Sequence, residues 1–96
     1  MKKPPLEWDD DKAATNLKKH GVAFEEAASV FRDKFAKTVF DPNHSFDEAR
    51  WITIGYSNFG RLLFVCHAER NESIRIISAR RATKQETKKH EQTTRG

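Results

Sequence analysis

A chain of 96 residues with net charge +4, a pI near 9.4 and one cysteine is a single small domain with one modest core. It is long enough to fold without a disulfide or metal staple and too short for a separate cofactor domain. Cys66 sits in an apolar run, where it reads as a packing residue in a reducing cytoplasm, and no stretch approaches the ~20 apolar residues of a membrane span, so a soluble, non-exported protein is expected.

In chain order, Leu6-Glu7-Trp8-Asp9 after Pro4-Pro5 predicts a short edge strand, with Asp10 or Asp11 capping a helix over Lys12 to His20 that stops at Gly21. Phe24, Ala27, Ala28 and Phe31 fall on one stripe, so a second amphipathic helix should pack on a sheet and end near Arg32-Asp33. Thr38-Val39-Phe40 favours a strand ended by Asp41-Pro42-Asn43, and the polar stretch to Ala49 leads into a strand over Trp51 to Ser57. Asn58-Phe59-Gly60 joins this to a strand over Leu62 to Ala68, and Arg70-Asn71-Glu72-Ser73 turns it into another over Ile74 to Ala79. Thr83-Lys84-Gln85-Glu86 has capping-box spacing and starts a basic C-terminal helix, whereas Glu91 to Gly96 lacks apolar residues and should fray, as should residues 1–5. The expected architecture is α+β: one domain over 1–96, a small antiparallel sheet against two N-terminal helices, and a last helix that carries positive charge.

Four histidines at His20, His44, His67 and His90 share no close spacing, and neither a Gly-rich phosphate loop nor a Gly-x-Ser-x-Gly elbow is present. No metal or cofactor is expected. The remaining repertoire of His, Glu, Lys and Arg suits metal-independent RNA cleavage, which needs a base for the ribose 2′-OH, cations around the phosphate and an acid for the leaving oxygen. Glu48, His67 and His20 are the proton-transfer candidates; Lys19, Arg50, Arg80 and Arg81 are the phosphate candidates. If Ser57 faces Arg61 and Glu69 faces Ile74, Thr53 pairs with Val65 and Val65 with Ser78, placing Trp51, His67 and Arg80 on one face. A one-residue slip in the second hairpin would exchange Arg80 for Arg81.

Each candidate has a plainer reading. Lys18-Lys19-His20 compensates a helix dipole, His67 is a structural histidine, Glu48 and Arg50 are an exposed pair, Trp8 and Trp51 are packing residues, and Lys84 to Lys89 is a solvated helix face.

Taken together, Glu7-Trp8-Asp9, Asn16-Leu17-Lys18-Lys19-His20-Gly21-Val22 with Phe24-Glu25-Glu26-Ala27, Glu48-x-Arg50 ahead of Ile54-Gly55, Gly60-Arg61-Leu62-Leu63, and Ile74 through Thr83 with Glu86 resemble the BrnT toxins over roughly residues 6–91. The resemblance implies a RelE-like fold and the role of a type II toxin that inhibits translation by cutting RNA. A BrnA-type ribbon-helix-helix antitoxin would neutralise it, and operator DNA would be met only through that complex. It carries over Lys19, His20, Glu48, Arg50 and Arg80 as functional positions, whereas His67 and Arg81 rest on the residue argument. Ala49 replaces an acidic residue and His90 a tyrosine of the relatives, so His90 is read as non-catalytic. A non-catalytic RNA-binding or corepressor module with the same antitoxin stays open as the alternative, since phosphate contacts give affinity without chemistry.

Overall fold

The computed structural model describes residues 5–94. Its elements run β1 (Leu6–Glu7), α1 (Asp10–His20), α2 (Phe24–Ser29), β2 (Lys37–Phe40), β3 (Arg50–Tyr56), β4 (Leu62–Arg70), β5 (Ser73–Arg81) and α3 (Lys84–Thr94), with 3₁₀ turns at Val30–Arg32 and Pro42–His44. The α+β class expected from the sequence holds, but the sheet is mixed. Its order is β1-β5-β4-β3-β2, and β1 runs parallel to β5 while every other pair is antiparallel.

Local chemistry explains most boundaries. The cap of α1 is Asp9 rather than Asp10 or Asp11, its carboxylate accepting from the Lys12 N–H at 3.0 Å, and Gly21 closes the helix at φ 69°. The tight β4–β5 turn has Asn71 and Glu72 at φ 49° and 69°, the paired positive φ that matches the twist of two joined strands. In α3 the Glu86 N–H bonds Thr83 Oγ1 at 3.1 Å and Glu86 Oε1 accepts from the Thr83 N–H at 2.8 Å, the capping box read from the sequence. That helix includes residues 92–94, while the expectation of looseness at residues 1–4, 95 and 96 lies outside the described residues.

The core lies between one sheet face and the first two helices. Val22, Phe24, Ala27 and Val30 close on Leu63, Val65, Ile76 and Ala79, with Trp8 packed edge-on against Phe24 at 6.0 Å. Gly55 marks the closest approach, since a Cβ there would stand 2.9 Å from Ala36 Cβ and 3.0 Å from Val30 Cγ1. Two polar latches hold this layer. Buried Asn16 donates to the Val22 and Ala79 carbonyls at 3.0 and 2.9 Å and accepts from the Ala79 N–H at 3.0 Å, so α1 supplies the hydrogen bonds that the edge of β5 lacks. Buried Glu26 accepts from Arg61 Nε at 2.9 Å and from Ser57 Oγ at 2.7 Å, which ties the β3–β4 loop to α2.

One irregularity decides which side chains reach the opposite face. Glu69↔Ile74 and Thr53↔Val65 pair as the sequence suggested, but a bulge intervenes: His67 pairs with Ile76 and Cys66 with Ser78, leaving Ile77 as the extra residue. Val65 therefore faces Ala79, not Ser78, and Arg80 faces Phe64. The expectation that Trp51, His67 and Arg80 share a face is corrected: His67 and Arg81 join the helix-covered face, and Arg80 goes to the other. α3 lies over that second face, with no apolar side chain of its own in Lys84–Thr94.

Candidate active site

Beside α3, the second face opens into a cleft of 280 Å³ built from five parts of the chain. β3 contributes Arg50 and Ile52, β4 Phe64 and Cys66, the end of β5 Ser78 and Arg80, the end of α1 His20, and the turn before β3 Asp41 and His44. Because β1 is only two residues long, it covers Ile74 and Arg75 alone and leaves the far half of β5 open for α1. His20 reaches the cleft over that edge.

Arg80 is a fixed cation. Its Nη1 and Nη2 donate to the two Glu86 oxygens at 2.8 and 2.9 Å, Nη1 also reaches the Arg81 carbonyl at 3.2 Å, and the guanidinium lies 4.5 Å above the Phe64 ring. The pairing holds the Glu86 carboxyl down at about 2 and raises Arg80 further above its ordinary range. Of five guanidinium N–H donors, these contacts use only part. Arg50 Nε is buried and, among the described residues, has no hydrogen-bond partner. Cys66 between them has its thiol pushed up by burial, a shift that Arg50 opposes and Asp41 reinforces, so it is a packed, protonated thiol.

The turn before β3 is unusually tied together. Asp41 is buried; its N–H donates to the Arg50 carbonyl at 2.9 Å, its carbonyl accepts from Ser45 Oγ at 2.6 Å, and Ser45 Oγ accepts from the Arg50 N–H at 3.0 Å. Its carboxylate Oδ2 lies 2.8 Å from His44 Nδ1. This pair was missed from the sequence, where His44 was weighed only as a metal ligand; Asp and His three residues apart on a helical turn was the signal available.

The other candidates disperse. Glu48 is ion-paired with Arg75 and does not line the cleft. His67 is buried beneath the helices, its Nε2 2.7 Å from Thr53 Oγ1 and its ring edge-on to Phe31 at 5.0 Å, with burial lowering its pKa to about 4. Arg81 pairs with Leu63 on the helix-covered face, where its charge helps to lower the Glu26 pKa behind the larger effect of Arg61. Lys19 lies in an adjoining hollow of 300 Å³ that shares His20, Ile77 and Ser78 with the cleft, so a chain leaving one depression can enter the other. Buried His90, on α3 itself, packs on the Tyr56 ring at 5.8 Å, outside the cleft. Trp51 stacks edge-on with Phe40 at 5.2 Å, a packing role. Among the described residues no three His, Cys, Asp or Glu gather as metal ligands, and no helix is long and apolar enough to cross a membrane.

Arginines and imidazoles converging on one open cleft of a small basic α+β domain suit a protein that handles phosphodiesters. The chain belongs to the BrnT family: the family described as ribonuclease toxin, BrnT, of type II toxin-antitoxin system matches residues 8–86. The fold is similar to the crystal structure of the Brucella abortus ribonuclease toxin, BrnT, with a TM-score of 0.63 and 25% sequence identity over 83% of this chain and 97% of that one. No curated protein matched the chain. The chain is thus the endoribonuclease toxin of a type II system, and it has an antitoxin partner.

Proposed function

We propose that the cleft is where RNA is cut, without a metal ion, to stop translation in the cytoplasm. The observation that supports this most directly is that Arg50 and Arg80, from two different strands, line one open cleft together with His20. Arg80 is held rigid by Glu86 and Phe64, so it can meet a phosphate without first being ordered, and Arg50 lines the same cleft from β3. Negative charge that grows on the phosphate oxygens would fall between them, and a preorganised cation there contributes most to lowering the barrier. Lys19, one hollow away, would hold a flanking phosphate of the same strand.

Of the remaining candidates, Glu48 would act through the Arg75 ion pair beside Arg50, whereas His67 and Arg81 would serve the scaffold. The domain is read as RelE-like. Its antitoxin is read as a BrnA-type ribbon-helix-helix protein that covers the toxin and carries the complex to operator DNA.

The test is cleavage of a defined RNA by purified chain in excess EDTA, beside Arg50→Ala and Arg80→Ala, with the new ends analysed. Wild type should leave 2′,3′-cyclic phosphate and 5′-hydroxyl ends, and each arginine variant should lose about 10²-fold in rate or more. Cleavage abolished by EDTA, or variants as fast as wild type, would remove this reading. The partner has its own check: co-expression with the product of an adjacent ribbon-helix-helix gene should restore growth, and a toxin still active beside it would remove that assignment.

A further inference from the structure

We infer that Asp41 and His44 are the proton-transfer pair of this cleft: His44 is the general base that takes the proton from the ribose 2′-hydroxyl, and Asp41 positions it. This rests on the reading of the cleft as the site of RNA cleavage and adds to it the residue that begins the reaction.

Three observations lead there. First, a carboxylate can only accept, so at 2.8 Å from Asp41 Oδ2 the His44 Nδ1 must carry the hydrogen, and Nε2 is left as the basic nitrogen. Second, the carboxylate is fixed where it stands. Asp41 is 8% exposed, and its backbone is bonded to Arg50 directly and through Ser45, so the imidazole is placed relative to the phosphate-binding arginine by the same strand. Third, the His44 side chain is 64% exposed while lining the cleft with Arg50, Arg80 and His20, so it is open to substrate and is not a core histidine. The rivals are engaged elsewhere: the Glu48 carboxylate by Arg75, and His67 by Thr53 beneath the sheet.

The step balances within these groups. His44 Nε2 accepts the 2′-hydroxyl proton as the 2′-oxygen bonds to phosphorus. The bond from phosphorus to the 5′-oxygen breaks, and that oxygen takes a proton from the imidazolium form of His20 across the cleft. The products are a 2′,3′-cyclic phosphate and a 5′-hydroxyl, and the transferred proton lies on His44 and not on His20 until solvent re-equilibrates them. Asp41 stabilises the imidazolium that forms on His44, as an orienting carboxylate does for any histidine base.

The experiment measures kcat and KM on a defined RNA for wild type, His44→Ala, His44→Gln, Asp41→Asn and the Asp41→Asn/His44→Ala double variant, with melting temperatures for each. Both His44 variants should stay folded and lose about 10²-fold or more in kcat with little change in KM. Free imidazole should restore part of the His44→Ala rate and none of the His44→Gln rate. Asp41→Asn should lose about tenfold alone and nothing further in the double variant, because a positioning residue has no effect once the group it positions is gone. His44 variants that cut at the wild-type rate, or losses that add in the double variant without imidazole rescue, would overturn the inference while leaving the cleavage reading intact. A wild-type chain inert on free RNA and on ribosomes would overturn both.

Discussion

His67→Gln replaces a buried imidazole by a side chain that does not titrate, and its effect on stability can be worked out in advance. His67 is 4% exposed, Nε2 lies 2.7 Å from Thr53 Oγ1, which in turn lies 2.8 Å from Thr38 Oγ1, and Nδ1 is buried without a hydrogen-bond partner. A bare lone pair is the cheaper orphan than a buried N–H, so the ring is neutral with its hydrogen on Nε2. Burial lowers the folded pKa from 6.5 to about 4, so between these values the unfolded chain binds the extra proton. A depressed histidine therefore leaves stability complete above about pH 6.5 and withdraws it as pH falls toward 4. At 1.36 kcal/mol per pH unit, the wild type should lose about 2.5 kcal/mol between pH 7 and pH 4.5 from this residue alone. Urea unfolding at those two pH values measures it, and His67→Gln should remove most of the difference even if it is less stable at pH 7. A wild type equally stable at both values, or a variant that keeps the full acid loss, would refute the account of His67 as a neutral core histidine.

Two further predictions concern the latches. Asn16→Ala leaves the Ala79 N–H and the Ala79 and Val22 carbonyls without that partner in a buried place, and should cost about 2–3 kcal/mol in chemical unfolding while an exposed change such as Lys18→Ala costs almost nothing. Glu26→Gln weakens the buried acceptor of Arg61 and Ser57 and should cost about 2 kcal/mol at pH 7. The Arg61 contact holds the Glu26 carboxyl below its ordinary range, so its contribution is present above the unfolded carboxyl value and is lost as pH falls through the lowered one. The gap between wild type and Glu26→Gln should accordingly close in acid; a gap that widens there contradicts the assigned ion pair.

Much of the scaffold was legible because its signals are local. Gly21 as a left-handed helix end, the Thr83–Glu86 capping box, the Asn58-Phe59-Gly60 loop and the apolar stripe of Phe24, Ala27 and Phe31 each depend on residues within a turn or two of one another. Arg50, Arg80 and His20 were singled out from residue type and motif, but only the fold shows that these three of the candidates line one cleft; the pairing of Glu69 with Ile74 came from turn geometry. Asp41 and His44 were not, although they are neighbours in sequence, because nothing local says that the turn carrying them folds back onto β3.

The amino-acid sequence by itself determined the class of fold, the order of its helices and strands, the basic C-terminal third and the set of side chains able to handle a phosphate. Only the tertiary structure decided which of those side chains meet. A side chain's face in a strand alternates with every residue, so the single extra residue at Ile77 sent Arg80 to the cleft and left His67 in the core, and a bulge leaves no periodic mark in a sequence that is apolar on both faces. The two-residue length of β1 left the edge of β5 open to α1, and that long-range vacancy brought His20 to arginines 30 and 60 positions away.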